Sequence, residues 1–132
     1  MIIKREQMTE NELAKIVVDS SYRIHVALGP GLLESVYEEI LYHELQKQGL
    51  RVKRQEVIPV YWDNIKMNLG FRADLIVEEK LIVEIKSVQE LSPVHPKQLL
   101  TYLKITEINL GLLINFNEKL IKKGIKRVVN NL

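Results

Sequence analysis

The segment LIVEIKS, residues 81–87, limits the possible folds more than any other part of the sequence. Leu81, Ile82 and Val83 are apolar at successive positions, and successive side chains of a strand lie on opposite faces of the sheet. Such a strand is covered on both sides, which requires other elements to pack against each face of the sheet. The sequence therefore predicts a central strand in a layered fold that mixes helices and strands.

Two helices are expected before the strands. Thr9 and Glu12 have the spacing of a capping box, which predicts a first helix that starts near Thr9. Residues 29–31, Gly-Pro-Gly, interrupt the helical pattern because neither residue type favours a helix interior. An apolar stripe from Leu33 to Leu45 then predicts a second helix, which ends at Gly49.

The rest of the chain predicts mainly strands. VKRQEVIPVYW, KMNLGFRADLIVE and LIVEIKS are expected to form three consecutive antiparallel strands, with a turn at Asp63 and Asn64 and with Pro59 at an edge or a bulge. A third helix is expected to run at least from Pro96 to Lys104, followed by a buried strand at GLLINF and a last edge strand within residues 121–129. The predicted order is ααβββαβ(β), an α/β (α+β) fold whose mixed central sheet of four to five strands is flanked by helices.

Composition indicates the class of protein. A chain of 132 residues with 46% hydrophobic residues is expected to form one domain, residues 1–132. Cysteine is absent, which excludes disulfides and thiolate zinc sites. The N-terminal sequence lacks the apolar region of a secretory signal, and no apolar run approaches the roughly 20 residues of a membrane-spanning helix. A cytoplasmic protein with no membrane partner is expected.

Charge gives little information about a partner. The 19 Lys and Arg residues exceed the 17 Asp and Glu residues by only two, so bulk electrostatics does not predict nucleic-acid binding. A basic cluster lies near the C-terminus at Lys119, Lys122, Lys123, Lys126 and Arg127. Lysines of this kind protect an edge strand against aggregation as readily as they bind phosphates, and both interpretations stay open.

Glu84 and Lys86 are the residues that suggest chemistry. They are two apart on the apolar strand and therefore share one face, where burying charges is costly unless they are paired or bind a metal. Asp74 on the preceding strand lies on the same face as Glu84 and Lys86 only if the connecting loop has an odd number of residues. Pairing of Val77 with Leu81 across a three-residue loop sets Asp74 opposite Glu84, whereas a two-residue loop sends Asp74 to the other face.

Two opposed carboxylates repel each other, so they favour a cation between them. Oxygen ligands with room for water and phosphate suit Mg²⁺, for which Mn²⁺ is a possible substitute. Lys86 is then placed to orient or deprotonate an attacking water or to stabilise charge on a phosphate. These residue types predict a metal-dependent site for phosphodiester hydrolysis.

The segments Arg72–Asp74 and Glu84–Lys86 resemble the PD-(D/E)xK nuclease signature, with alanine where proline often precedes the aspartate. A closer resemblance is to a prokaryotic family named for its GxxExxY motif, which Gly31, Glu34 and Tyr37 match. IPVYW, RADLIV, VEIKS and HPKQLLTYLK are also similar to segments of that family, so the resemblance covers nearly the whole chain. It implies a restriction-endonuclease-like core more strongly than an activity.

The resemblance also implies residue roles. Asp74, Glu84 and the backbone carbonyl of Ile85 would hold the metal, with Lys86 as the catalytic lysine. Similarity to the exonuclease branch adds Glu34 as a helical acid, with a metal or a supporting role, and Gln98 and Tyr102 as a QxxxY element that contacts substrate.

The same residues also have structural interpretations. The dipole of the second helix alone favours an acid at Glu34. Gln98 and Tyr102 suit helix packing as well as substrate contact, and Arg72 suits a salt bridge to Asp74 or Glu84 as well as a phosphate contact. Tyr37 is expected to be a core aromatic with its hydroxyl at the surface.

The leading hypothesis is a Mg²⁺-dependent nuclease whose partner is nucleic acid, with DNA favoured, and whose small size favours a homodimer or a larger complex. One alternative is a non-catalytic module that keeps the nuclease fold to bind nucleic acid or a protein. A second alternative is an interaction protein unrelated to nucleic acid.

Overall fold

The structure is a computed structural model that describes residues 4–132. The first helix, α1 (Glu10–Leu28), begins with a complete capping box. The Thr9 hydroxyl accepts a hydrogen bond from the Glu12 N–H at 3.1 Å, and the Glu12 carboxylate accepts one from the Thr9 N–H at 3.0 Å. These bonds satisfy amide groups that a helix start leaves free. The predicted start of the first helix is confirmed.

A short irregular segment separates α1 from the second helix, α2 (Glu34–Lys47). Gly29 has a φ of 72° and Gly31 a φ of 106°, a region that glycine enters without steric cost. The Tyr37 hydroxyl donates a hydrogen bond to the Gly29 carbonyl at 2.6 Å and accepts one from the Leu32 N–H at 3.2 Å. The expectation of a surface hydroxyl for Tyr37 was wrong, because the buried side chain fastens this loop to α2.

The central sheet has five strands in the described part of the chain, in the spatial order β1-β4-β5-β6-β7. Neighbouring strands are antiparallel except β5 and β6, which are parallel and are joined by helix α3 (Val94–Thr106). The strands are β1 (Val52–Ile58), β4 (Phe71–Val77), β5 (Leu81–Lys86), β6 (Leu110–Asn115) and β7 (Ile125–Val129). This mixed sheet with flanking helices is the predicted α+β architecture, and the placement of LIVEIKS at its centre is confirmed.

Two apolar layers cover the faces of the sheet. Leu75, Val83 and Ile85 belong to the layer that includes α1 and α2, while Ile76 and Ile82 belong to the layer with α3. The alternation along each strand produces this division. As a result β5 and β6 are almost entirely buried, as their continuous apolar sequences predict.

Two predicted strands are divided in the structure. A separate hairpin of β2 (Tyr61–Trp62) and β3 (Ile65–Lys66) turns at Asp63 and Asn64, which have φ values of 53° and 62°. Pro59 separates β1 from β2, since proline donates no hydrogen bond to a ladder. The predicted turn is confirmed, but the two long strands flanking it are each interrupted. Likewise, residues 121–129 form a 3₁₀ turn at Ile121–Gly124 before the edge strand β7.

The β4–β5 hairpin has the odd loop on which the predicted site depends. Val77 pairs with Leu81 and Ile76 with Ile82, so the loop contains three residues. Its Glu78 and Glu79 adopt φ values of 52° and 57°, and the Lys80 N–H donates to the Val77 carbonyl at 3.0 Å. Positive φ at both central residues gives a turn whose twist matches that of the strands. Asp74 and Glu84 therefore lie at equivalent positions on neighbouring strands.

No helix within residues 4–132 has the length and apolar character needed to cross a membrane.

Candidate active site

Asp74 and Glu84 meet at the point where β4 and β5 separate. Their backbones no longer pair there, and side chains replace the missing ladder bonds. The Asp74 N–H donates to Glu84 Oε2 at 2.9 Å, and the Ile85 N–H donates to Asp74 Oδ2 at 2.7 Å. Each carboxylate is therefore held by the backbone of the opposite strand. The structure brings together the two acids that strand parity predicted to share a face.

Burial and charge act together on Glu84, whose exposed fraction is 8%. Burial, together with the neighbouring charge of Asp74, raises the pKa of Glu84 to about 8, although the charge of Lys86 opposes the shift. Removing water from a carboxylate disfavours its charged form, and a second carboxylate nearby has the same effect. Without a cation, Glu84 therefore keeps its proton at neutral pH.

Lys86 follows two residues after Glu84 and shares its face of β5. Its side chain is half-buried, and it forms no ion pair within 4.0 Å in the part of the chain that the structure describes. Its charge still lowers the pKa of Glu84, which places the ammonium close to the carboxylate pair. A cation next to two acids, but not bonded to either, has hydrogen bonds available for a ligand.

A layer of three polar residues supports Asp74 from the side of α2. Gln55 Nε2 donates to Asp74 Oδ1 at 3.1 Å and to Glu38 Oε1 at 2.6 Å, and Arg54 Nε donates to Glu38 Oε2 at 2.7 Å. Burial raises the pKa of Glu38, although its bonds to Arg54 and Gln55 oppose the shift. The backbone of Gln55 has a φ of 53°, which is strained for a residue other than glycine. Such a conformation persists only where the surrounding contacts require it.

Tyr102 approaches the carboxylates from α3. Its ring stacks on Phe71 with a centroid distance of 3.9 Å. Burial raises the pKa of Tyr102, and the nearby charges of Glu84 and Asp74 raise it further. Gln98 lies one turn earlier on the same helix and is exposed. Tyr102 is therefore near the site, while Gln98 lies at the surface beside it.

Arg72 and Glu34 lie at the edges of the site. Arg72 is exposed on β4 and pairs across the strands with Val57, and within residues 4–132 it forms no salt bridge to Asp74 or Glu84. Glu34 is exposed at the start of α2, and its Oε1 accepts a hydrogen bond from the Ser87 N–H at 3.3 Å. Glu34 therefore contacts the residue directly after Lys86. The proposed roles of both residues remain predictions.

Comparison with known proteins identifies the family. A family model described as the PD-(D/E)XK nuclease superfamily matches residues 11–128, which is most of the chain. The chain belongs to the PD-(D/E)XK nuclease superfamily. No curated protein is detectably similar to the chain in sequence.

A solved structure shares the fold of this chain. The crystal structure of a protein designated SSO0001 superposes with a TM-score of 0.55 at 19% sequence identity. The match covers 93% of this chain and 60% of the SSO0001 chain, so this chain spans about three fifths of that protein's length. At this identity the likeness concerns the fold alone. The restriction-endonuclease-like architecture expected from the sequence is confirmed.

The donor set of this PD-(D/E)XK site fits a hard divalent cation. Within residues 4–132, no three His, Cys, Asp or Glu side chains are grouped as metal ligands, and the metal role of Glu34 stays a prediction. Glu84 Oε1 makes no protein hydrogen bond in the same residues, and each acid has lone pairs left. Two carboxylates with water and a phosphate suit Mg²⁺, which keeps much of its hydration.

Three residues that support Asp74 were not predicted from the sequence: Glu38, Arg54 and Gln55. A signal for Glu38 was present, because it lies three and seven residues before Leu41 and Leu45 and so falls on the apolar stripe of α2. An acid on a buried stripe needs a partner. Nothing comparable marks Gln55, whose backbone conformation depends on the contacts made by the fold.

Proposed function

We propose that the chain is a Mg²⁺-dependent nuclease that hydrolyses phosphodiester bonds of DNA, with Mn²⁺ as a substitute metal. The observation that carries the proposal is the reciprocal pairing of Asp74 and Glu84 across separated strands, beside a Lys86 that forms no ion pair within residues 4–132. A structural ion cluster would pair Lys86 with one of the acids. Membership of the PD-(D/E)XK superfamily supports the same reaction class.

The residues have separate roles in the proposed reaction. Asp74, Glu84 and the carbonyl of Ile85 would hold Mg²⁺, which when bound supplies positive charge at the phosphate and acidifies water. The Lys86 ammonium is placed to orient the attacking water or to stabilise the charge that develops on the phosphate. Gln55 holds Asp74 in place through its bond to Oδ1. Arg72, Gln98 and Tyr102 would contact the substrate.

We also propose membership of the GxxExxY family. The contacts of its motif residues support this proposal. The Tyr37 hydroxyl is hydrogen-bonded to the loop that contains Gly31, and Glu34 accepts a hydrogen bond from the residue that follows Lys86. The motif thus sets the position of α2 relative to the end of β5. Residues 1–132 would act as one nuclease-like domain in the cytoplasm, assembled as a homodimer or within a larger complex.

Hydrolysis assays test the proposal directly. Single- and double-stranded DNA and RNA are incubated with Mg²⁺ or Mn²⁺ and with the wild type, Asp74→Ala, Lys86→Ala or the control Lys53→Ala. We expect DNA cleavage by the wild type and the control, and a loss of roughly 10²–10⁴-fold in Lys86→Ala, the range for a group that assists proton transfer. Equal activity in all four proteins would indicate a contaminant and remove the enzymatic claim.

A second candidate is a non-catalytic module that keeps the fold to bind nucleic acid or a protein. It is favoured by the share of the compared protein that is matched, because the match covers 60% of the SSO0001 chain. Salt-sensitive DNA binding without cleavage under either metal would support this candidate.

A further inference from the structure

We infer that a cleft beyond Lys86 binds one single strand of the nucleic acid next to the scissile phosphate, with Lys119 and Lys122 contacting its phosphates and Tyr22 stacking on a base. The inference rests on the proposed nuclease function and adds the substrate form and the residues that hold it. It also divides the basic C-terminal cluster into two parts with different roles. Lys119 and Lys122 line the cleft, whereas Lys126 lies on the edge strand β7.

The cleft, here called the basic cleft, has a volume of about 420 Å³. One wall comes from the end of α1 and the loop after it, and the other comes from the segment between β6 and β7. Its lining residues are Tyr22, His25, Val26, Gly29, Pro30, Lys119, Leu120, Ile121 and Lys122. The volume lies in the range of small-molecule sites, which is enough for a nucleotide unit.

Hydrogen bonds and burial hold the two walls in place. His25 Nε2 bonds to the Glu118 carbonyl at 2.7 Å, directly before Lys119. Ile121 is buried in the core between the two lysines. A Cβ on Gly124 would lie 2.5 Å from the Asn115 carbonyl, so this segment packs tightly against the end of β6. The basic cleft is therefore formed in the free protein, and a ligand need not order it.

A second cleft is lined by residues from the same segments as the basic cleft and by the residue after Lys86. This Ser87 cleft, of about 570 Å³, is lined by residues 31–35, Ser87 and Asn117. Gly31 directly follows Pro30 of the basic cleft, Asn117 lies two residues before Lys119, and Ser87 follows Lys86. Lys86 also pairs with Asn115 across β5 and β6, and its carbonyl accepts the Phe116 N–H at 2.9 Å. Both clefts therefore lie at the end of the sheet where Lys86 lies.

The chemistry of the basic cleft suits a single strand. Lys119 and Lys122 are exposed and form no ion pair within residues 4–132, so their ammonium groups are available to phosphates. Tyr22 and Val26 are 56% and 70% exposed, an apolar surface that a nucleobase can cover. Cations for the backbone combined with an aromatic ring for the bases are typical of single-strand binding, whereas bases in a duplex are already stacked on each other.

The test compares two charge-matched double variants in binding to oligothymidylate without metal, measured by fluorescence anisotropy over a series of salt concentrations. Lys119→Gln with Lys122→Gln removes the cleft lysines, and Lys123→Gln with Lys126→Gln removes two exposed lysines outside the basic cleft. We expect the slope of log K against log salt to fall by about 1–1.5 in the cleft variant, the value for two phosphate contacts on a single strand. The control should keep the wild-type slope. Equal slopes in the two variants would overturn the inference.

Tyr22→Ala tests stacking separately. We expect about fivefold or more loss of affinity for oligothymidylate, because base stacking contributes about 1–3 kcal/mol, and no loss for an abasic strand of equal length. Equal losses for both strands would exclude stacking. Melting curves confirm that each variant is folded.

Cleavage assays with Mg²⁺ separate the inference from the proposed function. If the wild type binds oligonucleotides without cleaving them and only the cleft variant loses salt dependence, the nuclease proposal fails and the basic cleft stands. If the wild type cleaves DNA and the two double variants behave alike, the basic cleft fails alone. Tighter binding of blunt duplex than of single strands, with the same loss in the cleft variant, would overturn the single-strand assignment.

Discussion

Both ends of the β4–β5 hairpin contain a pair of acidic residues, but the two pairs make different contacts. At the turn, Glu78 accepts the Arg51 N–H and faces Arg5 at 3.4 Å, while Glu79 forms an ion pair with Lys53 at 2.6 Å. At the other end, Asp74 and Glu84 face each other and bond only to amide groups. Each turn acid has a basic partner, whereas within residues 4–132 no cation is bonded to the half-buried Asp74 or the buried Glu84.

This difference separates a structural acid from one suited to a ligand. An acid paired with a basic side chain has its charge compensated within the chain, so a metal ion gains little there. Two acids set against each other store repulsion that only a proton or a cation relieves. Although the acids lie on the same hairpin, only the Asp74–Glu84 end has the electrostatics of a metal site.

The largest expected difference between the two ends is catalytic. Glu84→Gln keeps the shape of the side chain and the acceptor for the Asp74 N–H but removes the charge that would hold Mg²⁺. We expect a loss of at least about a hundredfold in the rate of DNA hydrolysis, since even changes beside a metal ligand typically cost 10–100-fold. Glu79→Gln, the same change at the turn, should leave the rate within about twofold of the wild type. Similar losses in both variants, measured on one DNA substrate, would remove the distinction between the ends.

Stability without metal should depend on pH through Glu84. The folded protein keeps the Glu84 proton up to a pKa of about 8, whereas the unfolded chain releases it near 4.5. The unfolded state therefore binds fewer protons between these values, so the free energy of unfolding falls as pH rises through this window and levels off above it. The contribution is up to about 5 kcal/mol, at 1.36 kcal/mol per pKa unit.

Urea unfolding in EDTA between pH 5 and pH 9 measures this contribution. The protein concentration and the ionic strength are kept the same at each pH. Glu84→Gln should flatten the pH profile and exceed the wild type in stability near pH 8, because its amide does not titrate. Glu79→Gln should retain the wild-type slope. Parallel profiles for the wild type and Glu84→Gln would show that Glu84 titrates normally in the folded protein.

Thermal melting with Mg²⁺ gives the next largest effect. A ligand that binds only the folded state at about 100 times its Kd adds roughly 3 kcal/mol, or on the order of 10 °C in Tm for a domain of this size. The shift should be larger at pH 8 than at pH 6, since Mg²⁺ competes with the proton on Glu84. We expect no shift in Glu84→Gln and a full shift in Glu79→Gln. An unchanged wild-type Tm across Mg²⁺ and Mn²⁺ titrations would exclude the metal site.

Much of the hairpin could be predicted from sequence because its signals are local. Strand alternation predicted that a loop with an odd number of residues would set Asp74 opposite Glu84, and the register of Val77 with Leu81 confirms the odd loop. The apolar run of β5 likewise predicted a central strand. These inferences need only the geometry of neighbouring residues.

The supporting layer could not be predicted because it depends on contacts between distant elements. Glu38 reaches Arg54 and Gln55 only after α2 packs beside β1, and no local pattern marks the positive φ of Gln55. Pro59 was predicted to lie at an edge or a bulge, and it directly follows β1, which is an edge strand of the sheet. The separate two-residue pairing of β2 with β3 was not predicted, because it depends on the packing of the folded chain.

The smallest expected effect concerns the exposed pair at the turn, Lys53 and Glu79. Glu79 raises the pKa of Lys53 by a hydrogen bond and by its charge, but both side chains are about half exposed, so solvent screens the attraction. A double-mutant cycle with Lys53→Ala and Glu79→Ala should give a coupling energy of about 0.2–1 kcal/mol that declines with added salt. A salt-independent coupling of several kcal/mol would mean that Glu79 is held in a low-dielectric setting despite its exposure. The contrast between the two ends of the hairpin would then rest only on whether each acid has a basic partner.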